Sequence, residues 1–223
     1  MREVRPMSGS RLLSELTHMR HGIIGICASG KMGKSALAHT IASMVFPDRV
    51  KYLYETAQVD LSMFPGYIRI DNVDDAEPGS VVLIEDLGRI FHSRGSGQDS
   101  SLPRWLGIIS HKDIVVIFTI QNFSDADIAL FRSQNFVDLH KIMHDEDLGF
   151  ERDEFREKQL TANLMIRRFA LEHPDIPQAA MVFSPRYSEV TAWPLVSWWS
   201  DECAHFLRDA KVSKPKRSKE VPS

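Results

Sequence analysis

The sequence has 223 residues, of which 43% are apolar, and this is enough for one substantial α/β domain or two small ones with a sizeable core. Its formal net charge of -3 argues against a protein that binds nucleic acid through bulk positive charge, so any polyanion contact has to come from a local patch. Two cysteines, no signal-peptide pattern and no apolar stretch near the ~18 residues of a membrane span predict a soluble protein of a reducing compartment.

Apolar runs and helical periodicities alternate along the chain. Residues 8–20 have apolar positions at helical spacing and predict an entry helix. Apolar runs predict buried strands, and these cover residues 22–28, 50–55, 67–72, 81–86, 113–121, 135–141 and 179–184. Helical patterns cover residues 35–46, 102–109, 124–133, 150–172 and 196–210. We interpret 135–141 as an edge strand.

The alternation of strands with helices predicts an α/β fold, with one doubly wound and mostly parallel sheet. We place it in a single domain over residues 1–210, and we find no internal repeat. The tail, residues 211–223, is basic and contains proline and serine, which predicts disorder. Its lysines fit contacts with DNA phosphates and a solubilising end equally well.

The stretch between the first predicted strand and the helix at 35–46 has the spacing of a phosphate-binding loop, with alanine in place of the usual first glycine. Its residues are Ala28, Ser29, Gly30, Lys31, Met32, Gly33, Lys34 and Ser35. Glycines let successive backbone N–H groups converge on one anion, and the following helix points its positive end at the same phosphates. Lys34 can reach the β- and γ-phosphates, and the Ser35 hydroxyl can ligate Mg²⁺. The loop therefore predicts a triphosphate site.

Polar side chains follow two later buried strands. Glu85 and Asp86 come directly after residues 81–84, where one acid can hold the Mg²⁺ shell and the other can orient or deprotonate the attacking water. Gln121 ends the strand that follows, where an amide can contact the γ-phosphate or the water. Either position alone also fits an ordinary polar strand end, but behind a phosphate loop the acids favour a hydrolytic site.

Guanine-nucleotide switches use the same loop, so the sequence has to be tested for the guanine motif. They need an Asn-Lys-x-Asp stretch after a late strand, and none occurs. The nearest candidate, His111-Lys112-Asp113, precedes its strand and lacks the asparagine. A GTPase is therefore disfavoured.

The order of these motifs resembles the HerA–FtsK superfamily of P-loop ATPases, and within it the viral genome-packaging ATPases and the related zonular-occludens-toxin-like phage assembly proteins. The resemblance covers about residues 20–141. It implies a RecA-like P-loop NTPase fold of the ASCE type that binds ATP and Mg²⁺. It also implies a ring that pumps double-stranded DNA through its centre.

The resemblance also implies roles for individual residues. Lys34 and Ser35 take the phosphate-loop roles, Glu85 falls at the metal-side acid and Asp86 at the catalytic acid. The family usually has aspartate first and glutamate second, so the swapped order leaves open which acid does which work. Gln121 matches the polar sensor. For an arginine that acts across the subunit interface, Arg104 is our first choice.

Arg94 and Arg132 are the alternatives for that arginine, and each of the three arginines also fits a solvated surface position. Two histidines, His140 and His144, stand at helical spacing; a metal site is conceivable, but a solvated helix end fits better. Three tryptophans, at positions 193, 198 and 199, fit core or subunit packing better than base stacking.

Together these features predict an ATP-hydrolysing motor that translocates double-stranded DNA and packages a viral genome into a capsid. The expected form is a pentameric or hexameric ring in the host cytoplasm. We also expect this ring to contact capsid vertex proteins and to associate with the virion. Two alternatives stay open. One is an ATPase for phage assembly or secretion of protein, and the other is a P-loop small-molecule kinase, for which the Gly/Ser-rich stretch 94–101 is a poor lid.

Overall fold

The computed structural model describes residues 10–54, 61–89, 101–133, 135–200 and 202–203. The strands are β1 (Gly22–Cys27), β2 (Lys51–Tyr54), β3 (Tyr67–Ile70), β4 (Val81–Ile84), β5 (Val115–Ile120), β6 (Phe136–His140), β7 (Gln178–Phe183) and β8 (Ser188–Trp193). The helices are α1 (Arg11–Thr17), α2 (Lys34–Val45), α3 (Ser101–His111), α4 (Ile128–Phe131), α5 (Asp145–Leu148) and α6 (Asp153–Glu172).

All eight strands form one sheet in the order β3-β2-β4-β5-β1-β6-β7-β8. Strands β1 to β6 pair in parallel, and β7 and β8 add an antiparallel hairpin at one edge. The sheet carries a hydrophobic core on each face, because its central strands are buried on both sides. Leu12, Leu16, Leu37 and Ile41 of α1 and α2 belong to one core, and Trp105 and Ile109 of α3 belong to the other. The predicted doubly wound, mostly parallel α/β fold is confirmed.

Two expectations were wrong, and one strand was missed. Strand β6 is not an edge strand, because it lies between β1 and β7. Strand β8 was not predicted, since Ser188–Trp193 is only partly apolar and lies at the end of the sheet, where half of its residues stay accessible. The helix predicted over 196–210 is wrong in its start, because residues 194–200 are not helical. Residues 202–203 are helical, and the rest of that prediction lies outside the described residues. The tail at 211–223 lies outside the described residues, and the limits of the domain stay a prediction.

The middle of β1 shows why a glycine is needed in the central strand. A Cβ at Gly25 would lie 2.8 Å from the Phe118 ring and 3.0 Å from the Phe136 ring, and both rings belong to the neighbouring strands. The missing side chain lets these two rings stack with centroids 6.3 Å apart. This packing holds β1 between β5 and β6, directly below the phosphate loop.

The parallel strands place the carboxyl ends of β1, β4, β5 and β6 at one edge of the sheet, which is where open α/β sheets bind ligands. The predicted loop, acids and amide all follow these strands. Both cysteines, Cys27 and Cys203, are buried and free. In the described part of the chain, no helix has the length and apolar character to cross a membrane.

Candidate nucleotide site

The phosphate loop connects β1 to α2. Lys31 and Gly33 have left-handed backbones, with φ of 63° and 75°, and Gly33 is the residue that caps α2. The first N–H groups of α2 have no intrahelical partners, and they point along the helix axis towards the loop. This end of the helix therefore favours an anion. The Lys34 ammonium donates to the carbonyl oxygens of Ala28 at 2.8 Å and Ser29 at 2.9 Å, which keeps its side chain folded over the loop.

The hydroxyl of Ser35 contacts the acid that the sequence assigned to the metal. Ser35 Oγ donates to Glu85 Oε2 at 2.7 Å, and Thr119 Oγ1 donates to the same oxygen at 2.8 Å. Burial raises the pKa of Glu85, but its contacts with His39, Ser35 and Thr119 outweigh burial and hold the pKa below its usual range. A hydroxyl beside an ionised carboxylate is the oxygen-only donor set that Mg²⁺ prefers, so these residues fit the metal.

Asp86 follows with an unusual backbone. Its φ of 54° lies in the left-handed region, which aspartate tolerates better than most residues. The Asp86 N–H donates to Thr119 Oγ1 at 2.9 Å, and this hydroxyl in turn donates to Glu85. Thr119 therefore links the backbone of Asp86 to the carboxylate of Glu85. Burial lowers the pKa of Lys34, and the nearby charges of Asp86 and Glu85 partly offset that effect.

His39 is a residue of this site that sequence reasoning missed. It is fully buried on α2, one turn after Ser35, and its Nε2 lies 3.4 Å from Glu85 Oε1, an ion-pair distance rather than a well-formed hydrogen bond. Four aromatic rings surround it with centroids 5.0–5.4 Å away, from Phe64, Tyr67, Trp198 and Trp199. Two of the three predicted packing tryptophans thus pack around His39, and the third, Trp193, is buried in the core.

The other predicted site residues have fewer described contacts with the phosphate loop. Gln121 follows β5 directly, and its carbonyl accepts from Cys27 Sγ at 3.3 Å, so it adjoins the end of β1 with an exposed side chain. Arg104 lies in the first turn of α3, which runs back from this edge of the sheet, but its side chain and all of Arg94 lie outside the described residues. Arg132 is exposed just before β6, at the opposite edge.

The segment that follows β6, residues 141–148, holds the phosphate loop from the other side, and we call it the clamp segment. The Ser29 N–H donates to the carbonyl of Ile142 at 3.3 Å. The hydroxyl of Ser29 accepts from the N–H of His144 at 2.7 Å and donates to the carboxylate of Asp147. Ser29 therefore ties the first turn of the loop to the clamp segment.

Helix α6 in turn fixes the clamp segment through two buried amides. Gln159 Nε2 donates to the carbonyl of Lys141 at 2.6 Å. Asn163 accepts from the N–H of Met143 at 2.9 Å and donates to the carbonyl of the same residue at 2.8 Å. The long charged helix thus has a buried polar face that supports the phosphate loop indirectly, through the clamp segment.

The two histidines of the pair lie in different surroundings. His140 is buried, and its ring contacts Gln159 Oε1 at 2.7 Å and Asp138 Oδ1 at 2.8 Å. His144 is exposed at the start of α5. Within the described ranges, no group of three His, Cys, Asp or Glu side chains could hold a metal ion. The predicted solvated helix end is therefore wrong for His140, which is buried at the end of β6, and holds for His144 alone.

Comparison with solved structures identifies the fold. The genome packaging NTPase of Sulfolobus turreted icosahedral virus 2 in complex with sulfate aligns with a TM-score of 0.53 and 11% identity over 79% of this chain and 98% of that chain. The chain shares the fold of this packaging NTPase. A complex of the same NTPase with AMPPCP aligns with a TM-score of 0.50 and 11% identity, covering 79% of this chain and 99% of that chain.

The N-terminal domain of the zonular occludens toxin from Neisseria meningitidis aligns more distantly, with a TM-score of 0.44 and 12% identity over 79% of this chain and 95% of that chain. No protein-family model matches the sequence, and a search of curated proteins also finds no match. The alignment with the packaging NTPase confirms the P-loop NTPase fold that the order of motifs implied. The predicted phosphate loop has the strand–loop–helix setting of that motif.

Proposed function

We propose that the protein is an ATPase that translocates double-stranded DNA and packages a viral genome. The observation that carries the proposal is the contact of Ser35 with Glu85. It places a hydroxyl and a carboxylate, both suitable Mg²⁺ ligands, side by side at the start of α2. Lys34 lies over the same loop, and Asp86 follows Glu85 in the turn. The shared fold supports the packaging role, since the aligned protein is a genome packaging NTPase.

In this proposal each residue of the candidate site has one role. Lys34 and the loop N–H groups bind the phosphates of ATP, and Ser35 and Glu85 hold Mg²⁺, which neutralises charge on the phosphates. Asp86 orients the attacking water and accepts its proton. Gln121, next along the edge, contacts the γ-phosphate or the water and transmits hydrolysis to the fold.

The active form in this proposal is a pentameric or hexameric ring. Charge develops on the γ-phosphoryl group during transfer, and an arginine supplied by a neighbour is typically worth about 10³–10⁵ in rate. Arg104 is our candidate, because α3 begins at the same edge of the sheet as the phosphate loop. The ring would act in the host cytoplasm and on the virion, docked to capsid vertex proteins.

ATP turnover with and without double-stranded DNA tests the translocated substrate. We expect duplex DNA to raise the turnover several-fold and to a plateau, with native mass showing five or six subunits. Lys34→Ala protein, prepared identically, controls for contaminating ATPases. An unchanged rate with DNA would contradict DNA translocation and favour the protein-assembly ATPase, and phosphoryl transfer to a small acceptor would favour the kinase.

Mixing of inactive subunits tests the arginine. Arg104→Ala and Lys34→Ala proteins should each be inactive, but mixed rings should regain activity, because some interfaces then pair an intact loop with an intact arginine. Arg168→Ala, which removes an arginine from an exposed ion pair with Glu172 on α6, is the matched control and should retain turnover alone. No recovery on mixing, with co-assembly shown by native mass, would rule out Arg104.

A further inference from the structure

Lys141 is a second lysine at the phosphate loop. It directly follows β6, and its backbone is fixed on both sides, because its N–H donates to the carbonyl of Cys27 at 2.8 Å and its carbonyl accepts from Gln159. A Cβ at Gly33 would lie 3.5 Å from Lys141 Nζ and 3.6 Å from its Cε. The side chain therefore extends along the loop to Gly33, the residue that caps α2.

Lys141 is a mostly buried lysine without an acidic partner. The residue is 7% exposed, and across the part of the chain that the structure describes, no acidic side chain contributes to the pKa of its ammonium. Burial, followed by the positive charge of Lys34, lowers the pKa of Lys141 to about 8. A buried charge of this kind is costly unless an anion compensates it.

Its neighbours show which kind of anion would fit. The charge nearest to Lys141 is that of Lys34, another cation, whose ammonium donates to two loop carbonyls. No acidic side chain among the described residues contributes to the pKa of Lys141, so the compensating anion has to come from a ligand. The Lys141 ammonium lies at Gly33, which is itself exposed and precedes the first N–H groups of α2, and the Lys34 ammonium lies over the same loop. Oxygens of a multiply charged phosphate chain suit such a convergence.

We propose that Lys141 binds the phosphate chain of the nucleotide from the same subunit, as a second cation beside Lys34. The assignment rests on the proposed function, because it takes the loop to be a nucleotide site. It adds a nucleotide-binding residue from the clamp segment, at the end of β6. Through Gln159, this residue is also joined to α6, so nucleotide binding is connected to that helix.

Calorimetric titration of the full chain with ATP and with ADP tests the proposal. Lys141→Met keeps the length of the side chain and removes its charge, and we expect it to bind both nucleotides about 10- to 100-fold more weakly, the loss of one charge-assisted hydrogen bond. Lys141→Arg should recover part of the affinity. Lys51→Met, at the start of β2 and the opposite end of the strands, is the matched control and should bind as the unsubstituted protein does.

Thermal unfolding separates a binding role from a structural one. Without nucleotide, Lys141→Met should be at least as stable as the unsubstituted protein, because an unpaired buried charge is removed, while the rise in Tm on adding ATP should shrink. Unchanged affinity in Lys141→Met, while Lys34→Ala loses affinity, would overturn this assignment and leave the nucleotide site intact. Failure of the unsubstituted protein to bind ATP would overturn both, and a lower Tm without nucleotide would show a structural role instead.

Discussion

Lys34→Ala is expected to abolish ATP hydrolysis, with turnover reduced by at least about 10²–10³-fold, the usual cost of removing a preorganised group that stabilises transition-state charge. Lys34 lies over the loop through two bonds to carbonyl oxygens, where its ammonium can turn to the phosphates. Steady-state phosphate release, measured at saturating ATP and Mg²⁺, gives the turnover.

The same substitution should leave the fold intact. Burial lowers the pKa of Lys34, so the folded state disfavours its charge, and removing that charge does not cost a strong stabilising interaction. Urea unfolding should show a similar midpoint for Lys34→Ala and the unsubstituted protein. Lys51→Ala, far from the loop, is the control and should retain full turnover. Normal turnover by folded Lys34→Ala protein would remove the basis of the proposed function.

The features that sequence analysis could predict depend on short stretches of chain. Strand β1 is recognisable because it is buried on both faces, and the loop that follows is recognisable because its glycines and lysines have a fixed spacing. Ser35 follows β1 and Glu85 follows the buried strand β4. Because parallel strands bring their carboxyl ends to one edge of the sheet, the two residues meet there. Local signals of this kind predict a phosphate site without any knowledge of tertiary contacts.

The features that were missed depend on contacts between distant segments. A histidine in an alanine-rich helix has no local signature, and His39 acquires its place only when residues 198–199 pack against α2. Lys141 follows a strand like many solvated lysines, and its burial requires that β6 lie inside the sheet, where the sequence predicted an edge. No local pattern indicated that Lys141 Nζ would lie 3.5 Å from a Cβ at Gly33, beside the phosphate loop.

The two acids should respond differently to loss of charge. Glu85→Gln is expected to weaken Mg²⁺-dependent ATP binding, because Glu85 is the acid that Ser35 contacts. Glutamine can still accept from Ser35 and Thr119 through its carbonyl oxygen, so the local structure should survive while the negative charge is lost. ATP affinity measured with Mg²⁺ and with EDTA should show the smaller difference in this variant.

Asp86→Asn should bind ATP and Mg²⁺ normally but hydrolyse ATP about 10²–10⁴-fold more slowly, the range typical for loss of a general base. Its side chain belongs to a turn with a left-handed backbone, which asparagine also tolerates, so the substitution changes charge rather than conformation. Asp71→Asn alters an exposed acid that pairs with Arg69 just after β3, at the same edge of the sheet, and should leave both binding and turnover unchanged. If Glu85→Gln instead bound ATP normally without turnover, and Asp86→Asn lost Mg²⁺-dependent binding, the two acids would have exchanged roles. The order of metal-side and catalytic acids in this chain would then be the reverse of the order usual in the HerA–FtsK ATPases that the sequence resembles.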